Sequence, residues 1–215
     1  MSAVVIATAD FFINKVVMTP ERRQRITHAL NRRQPDLTVV MENVFDPHNI
    51  AAVMRTCDSV GIQELYVLNT MIKRHTKFGK KSSASAAGWL TVHQFDNTEE
   101  CMAAVKKKYK NIFATHLGEK AVSLYELDLT EPVALVFGNE HAGVTEECLT
   151  HCNGNFIIPQ VGMVKSLNIS VACAVSLYEA YRQKELKGMY DGTPKLPQDV
   201  MDTLSIKWGL AEDAE

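Results

Sequence analysis

The sequence predicts an α/β fold, with a mainly parallel sheet and helices on both faces. Three observations predict it. Short apolar runs recur at 37–41, 64–68, 89–95, 111–115, 132–137 and 155–158. Segments of helical periodicity alternate with them, the order expected of parallel strands joined by crossover helices. Several of the runs, such as LTVVM and PVALVF, are continuously apolar, as in strands covered on both faces.

The elements follow in order. Residues 1–18 lack a basic leader segment and carry Asp10, so they read as an extension of unknown role and not as a secretion signal. Thr19-Pro20-Glu21 is a helix start: a capping hydroxyl, proline at the first helical position, and an acid in the first turn. That helix runs to about Arg33 and carries Arg22, Arg23, Arg25, Arg32 and Arg33 against Glu21. After the strand at 37–41, a polar turn leads into a helix. Ile50, Val53, Met54, Cys57 and Val60 mark its apolar face, and Gly61 stops it. The strand at 64–68 is followed by a basic loop at 71–81 with Lys73, Arg74, Lys77, Lys80 and Lys81. A helix is expected at 98–109, a long helix at 166–186 with Ser166 as its cap, and a last helix at 198–208 before an acidic tail. The organisation expected is therefore an extension (1–18), a basic helix (19–36), one α/β domain (37–188) and a helical C-terminal extension (189–215).

Charge and cysteine usage narrow the function. Lys+Arg is 23 and Asp+Glu is 25, a net charge of −2, so no bulk basic field grips nucleic acid and any contact must be a local patch. The five cysteines include no CxxC pair, which points to reduced structural thiols in a cytoplasmic protein. The seven histidines show no metal-ligand spacing, so no metal is expected. No apolar run approaches the ~18 residues of a membrane span.

Ligands of parallel sheets bind beyond the carboxyl ends of strands, so the loops there carry the chemistry. The first, 43–49, ends in His48-Asn49 and is followed by Arg55 in the next helix. Taken singly, Asn49 is as well explained as a helix cap and Arg55 as one half of a structural ion pair. The second, 138–144, holds Gly138, Glu140 and Gly143. It is neither GxGxxG nor a P-loop, which disfavours a dinucleotide oxidoreductase. The third, 159–168, holds Gly162, Met163, Ser166 and Asn168. Ser166 has no GxSxG setting that would make it a nucleophile, and helix capping explains it equally well.

In combination and order, NVFDPHNIAAVMRTCDSVG, LVFGNEHAGVTEECL and IPQVGMVKSLNISVACAVSLYEAYRQ resemble the three motifs of the SpoU–TrmH branch of the SPOUT RNA methyltransferases. The flanks RRQRITHALNRRQPDLTV and RQKELKGMY resemble the TrmH subgroup, which methylates the ribose 2′-oxygen of tRNA guanosine 18. The likeness spans roughly 19–210; residues 1–18 and the 71–81 loop depart from it. It implies an α/β knot, with a deep trefoil knot in the C-terminal part of the domain. It implies S-adenosylmethionine as donor and S-adenosylhomocysteine as product, with Thr115, Gly138, Ile158, Met163 and Leu167 at the cofactor. It implies a homodimer whose site is completed across the interface, with tRNA as partner.

By the same resemblance Arg55 activates the 2′-hydroxyl, and Asn49, Glu140, Ser166 and Asn168 hold Arg55, the ribose or its phosphate. Because an arginine stays protonated in ordinary surroundings, stabilisation of the developing alkoxide is favoured over proton abstraction. Arg22, Arg25, Arg33, His48 and Arg182 are the expected RNA contacts, since phosphate neutralisation dominates RNA affinity. A solvated basic face is the competing explanation of the arginine run. Competing functions are 2′-O-methylation of ribosomal RNA or of another tRNA position, and a non-catalytic RNA-binding homologue.

Overall fold

The computed structural model describes residues 18–74, 86–118 and 120–210. Thr19 caps α1 (Pro20–Asn31) by accepting the Arg22 N–H at 3.3 Å. β1 (Leu37–Glu42) is followed by α2 (Pro47–Ser59), β2 (Glu64–Leu68), α3 (Ala86–Trp89), β3 (Thr91–Phe95) and α4 (Thr98–Lys106). Then come β4 (Asn111–Thr115), β5 (Val122–Ser123), a 3-10 turn (Leu124–Glu126), β6 (Val133–Phe137), α5 (Glu146–Leu149), β7 (Gly154–Ile157), α6 (Ile169–Leu186) and α7 (Gln198–Lys207).

Every strand pairing is parallel, and the sheet order is β3-β2-β1-β6-β4-β7-β5. β1 and β6, whose residues are all buried, lie at the centre, as their unbroken apolar runs require. From β1 the chain winds outward through β2 and β3, and β6 lies on its other side. The direction of winding therefore reverses between β1 and β6, which opens a crevice above their carboxyl ends.

Side-chain alternation sends Leu37, Val39 and Met41 to one face, against Ile50, Val53, Met54 and Cys57 of α2 and Cys173, Leu177 and Ala180 of α6. Val40 points to the other face, with Cys101, Met102 and Val105 of α4 and Cys148 of α5. The two terminal helices form a third cluster in which Ile26 and Leu30 of α1 meet Leu204 and Trp208. The late part of α6 is clamped to the segment that precedes β6. Gln183 accepts the Leu129 N–H at 2.8 Å and donates to the Leu127 carbonyl at 3.0 Å. The buried Lys184 pairs with Asp36 at 3.0 Å.

Several expected boundaries move. Trp89 ends a short helix and β3 begins at Thr91, so 89–95 is not one strand. The long helix begins at Ile169, not Ser166, because Asn168 is its cap. The helix expected at 98–109 stops at Lys106, and β7 leaves Ile158 outside the strand. β5, α3 and the 3-10 turn have no counterpart in the sequence reading; at two to four residues they are too short to show a period. The first seventeen residues, the tail at 211–215, and Lys77, Lys80 and Lys81 of the basic loop lie outside the described residues. The five cysteines are free thiols, and all but Cys152 are buried.

Candidate active site

Beside that crevice, a cavity of about 990 Å³ lies at the carboxyl ends of β4, β6 and β7. Thr115, Gly138, Ile158 and Leu167 line it, as do Glu140, Ser166 and Asn168. Its wall is mixed: Phe137, Phe156 and Ile158 give an apolar surface, while loop backbone and polar side chains give hydrogen-bonding groups. That composition fits a ligand with an aromatic base and a polar amino-acid end.

The 138–144 loop is shaped by its own packing. A Cβ on Gly138 would stand 2.1 Å from the Gly143 carbonyl carbon. Asn139 and Gly143 exchange backbone hydrogen bonds of 2.9 Å in both directions, with Gly143 at φ +74°. The need for glycine at 138 is therefore met within the loop, not by a ligand pressing on it. Gly162 has nothing within 4 Å of the same test position.

Capping decides which amides are free. Asp46, not Asn49, caps α2, accepting the His48 N–H at 2.8 Å. The Asn49 amide is thereby released to donate to Glu140 at 2.9 Å. Glu140 also accepts the backbone N–H of Phe45 at 3.1 Å and of Asp46 at 3.4 Å. Partial burial works against its charge, but these donors outweigh it and hold the carboxyl below its usual range. Asn168 accepts the Ser170 N–H at 2.9 Å as the α6 cap, while its side-chain nitrogen donates to the Asn49 oxygen at 3.2 Å. Glu140, Asn49 and Asn168 thus join the three loops in one hydrogen-bonded line.

Arg55 lies on α2, exposed, with no hydrogen bond or ion pair among the described residues. A guanidinium held on a packed helix with no partner among the described residues is available to a substrate anion. Ser166 is exposed in the loop before α6 and lines the cavity. Met163 does not: it is 98% exposed and outside the cavity wall.

The expected RNA contacts divide. Arg22 and Arg25 are exposed on α1, and His48 is exposed at the start of α2. Arg33 is a correction. It is 2% exposed, pairs with Asp58 at 2.7 Å, donates to the Ile62 carbonyl at 3.0 Å and lies 5.1 Å from the Trp208 ring centre. It belongs to the core because it follows the end of α1 and points inward, which a count of arginines does not reveal. Arg182 is exposed but holds both carboxylate oxygens of Glu179, at 2.7 and 2.8 Å.

Residues that the sequence reasoning passed over also build the site. Buried Glu42 accepts the Thr145 N–H at 2.9 Å, and Asn139 donates to the Asn43 carbonyl at 2.7 Å. The one available signal was their position, the first polar residues after an apolar strand. Among the described residues there is no cluster of three or more His, Cys, Asp or Glu arranged to hold a metal, and no helix long and apolar enough to cross a membrane.

The SpoU rRNA Methylase family matches residues 36–178. The chain is similar to the tRNA (guanosine(18)-2'-O)-methyltransferase of Thermus thermophilus, 42% identical over 190 residues that cover 88% of this chain and 96% of that protein. It is 42% identical to the Escherichia coli K12 protein of the same name over 173 residues, 80% of this chain and 75% of that one. Among solved structures, the Aquifex aeolicus TrmH/SpoU tRNA modifying enzyme aligns with a TM-score of 0.81 and 35% identity, covering 91% of this chain and 98% of that one. The SpoU methyltransferase AviRb from Streptomyces viridochromogenes, in complex with the cofactor AdoMet, aligns with a TM-score of 0.63 and 26% identity, covering 69% and 60%.

Proposed function

The chain belongs to the SpoU rRNA Methylase family, and from that premise we propose that it methylates tRNA on a ribose 2′-oxygen, at guanosine 18 of the D-loop. The observation that carries this reading is the line from Glu140 through Asn49 to Asn168, which gathers three distant loops beside one cavity. The tRNA target is favoured because the Thermus thermophilus guanosine-18 enzyme matches over 96% of its length.

When bound, S-adenosylmethionine supplies an electrophilic sulfonium methyl. Thr115, Gly138, Ile158 and Leu167, which line the cavity, would hold the donor. The attacking ribose hydroxyl gains the methyl as the sulfonium S–C bond breaks, leaving S-adenosylhomocysteine, and its proton passes to solvent water. Arg55, with no partner among the described residues, stabilises the negative charge that develops there. Asn49 and Asn168 orient the ribose side of the site, and Glu140 holds Asn49 in place.

Two further features belong to this reading. A deep trefoil knot in the C-terminal part of the domain is part of the same proposal, and membership of the family supports it. The working enzyme is a cytoplasmic homodimer whose site is completed by its partner. Val161, Met163 and Val164, exposed beside the cavity, support a second copy at that place. Arg22, Arg25 and His48 are the exposed candidates for tRNA phosphates.

The test is transfer of tritiated methyl from S-adenosylmethionine to unmodified tRNA, followed by mapping. Label on the guanosine 18 ribose is expected. Label on ribosomal RNA fragments but not tRNA, or donor binding with no transfer to any RNA, overturns the reading.

A further inference from the structure

Asn43 sits at the junction of three segments: its own loop after β1, the turn after β2 and the loop after β6. It is the non-glycine residue with a left-handed backbone, φ 51°, among the described residues. Its side-chain oxygen accepts the backbone N–H of Thr70 at 2.9 Å and of Met71 at 2.8 Å, and its side-chain nitrogen donates to the Thr70 hydroxyl at 3.1 Å. Its own N–H goes to the Leu68 carbonyl at 2.7 Å, and its carbonyl receives Asn139 from the cavity loop at 2.7 Å. Asn43 is 1% exposed, so these bonds are shielded from competing water.

The turn that Asn43 holds is the start of the basic loop. Thr70 and Met71 lead directly to Lys73 and Arg74, both exposed. Arg74 pairs only at the surface, with Asp96 at 2.8 Å, where both side chains are more than half exposed. The side chain of the neighbouring Asn69 does not share the task, for neither of its polar atoms has a partner among the described residues. Beyond the backbone bond from the Asn69 N–H to the Phe95 carbonyl at 2.9 Å and the surface pair of Arg74, the hold on this turn among the described residues comes from one side-chain amide.

We propose that Asn43 is a positioning residue that presents the 70–74 turn as a contact for the tRNA backbone, beside the loops that hold Arg55 and the donor. The phosphodiester chain is the chemistry that Lys73 and Arg74 recognise, and a contact fixed this close to the cavity aligns the target ribose. The inference rests on the tRNA methyltransferase reading given above.

The experiment compares Asn43→Gly and Asn43→Asp with the wild-type chain. Glycine keeps the left-handed backbone and the carbonyl bond to Asn139 but loses the side chain. Aspartate tolerates the same backbone and still accepts both N–H groups. In steady-state methyl transfer, Asn43→Gly is expected to raise KM for tRNA about tenfold while kcat changes less than about threefold. Affinity for S-adenosylhomocysteine should stay within about twofold of wild type, and Asn43→Asp should restore KM. Lys73→Ala with Arg74→Ala should raise KM in the same way. An unchanged KM in Asn43→Gly, a fall in kcat alone, or a failure of Asn43→Asp to restore KM overturns the proposal while leaving the methyltransferase reading intact. A wild-type chain that transfers methyl to no tRNA overturns both.

Discussion

Glu140 accepts the side-chain amide of Asn49 at 2.9 Å, across 91 residues of sequence. This one bond joins the loop after β6 to the first turn of α2, and with it the cavity wall to the helix that carries Arg55. Its charged acceptor makes it stronger than a neutral amide pair.

Glu140→Gln should lower kcat by roughly 100-fold with little change in donor affinity, because the misplacement falls on Asn49 and not on the cavity floor. The pH dependence has a definite sign. The folded carboxyl lies below its ordinary range, so its contribution is complete above that range and is lost as pH falls through the folded value. Methyl-transfer profiles should show an acid limb in the wild type that flattens in Glu140→Gln. An identical limb in both chains removes Glu140 as its source.

Arg55→Ala should abolish transfer, by at least about 100-fold, with unchanged binding of S-adenosylhomocysteine. Arg55→Lys keeps the charge but not the planar fork, and should recover only part of the rate. Single-turnover kinetics with calorimetry of the product complex checks both. Substantial residual transfer in Arg55→Ala would remove it from the reaction.

The arginines near the N-terminus should separate into two kinds. Arg33→Ala removes a buried guanidinium from Asp58 and Trp208. With Asp58 35% exposed, the loss is about 2 kcal/mol, roughly 4–8 °C in melting temperature. Arg22→Ala and Arg25→Ala should leave melting unchanged and reduce the salt dependence of tRNA binding instead. Thermal scans beside filter binding at several salt concentrations tell them apart.

Gly138→Ala should impair donor binding by more than about tenfold, since its Cβ would meet the Gly143 backbone and displace the loop. Gly162→Ala meets nothing within 4 Å and should bind as wild type. Titration calorimetry with S-adenosylhomocysteine gives both values. Equal affinities would show that the loop yields without disturbing the cavity.

The legible parts of this protein were those with local causes. LTVVM and PVALVF announced central strands, and Thr19-Pro20 announced α1, because burial on two faces and end-capping are written within a few residues. Asn49, Glu140 and Asn168 were legible as a motif, and the structure brings them together. Their division of labour was not. Either asparagine suits a helix cap, and only the placement of Asp46 shows that Asn49 is free while Asn168 caps α6. Asn43 gave no sequence cue beyond its place after a strand, because its partners Thr70, Met71 and Asn139 come from two other loops.

By itself, then, the sequence determined the alternation of strands and helices, the polar loops at the strand ends and the family to which the chain belongs. Periodicity, capping and motif order are properties of neighbours along the chain. The tertiary structure decided that Arg33 lies beneath Trp208 and not on the surface, that Gly138 is shaped by Gly143, and that one carboxylate gathers Phe45, Asp46 and Asn49. Those outcomes depend on which distant residues the parallel sheet sets side by side, and hydrogen bonds, steric exclusion and burial act over a few ångströms whatever the separation in sequence.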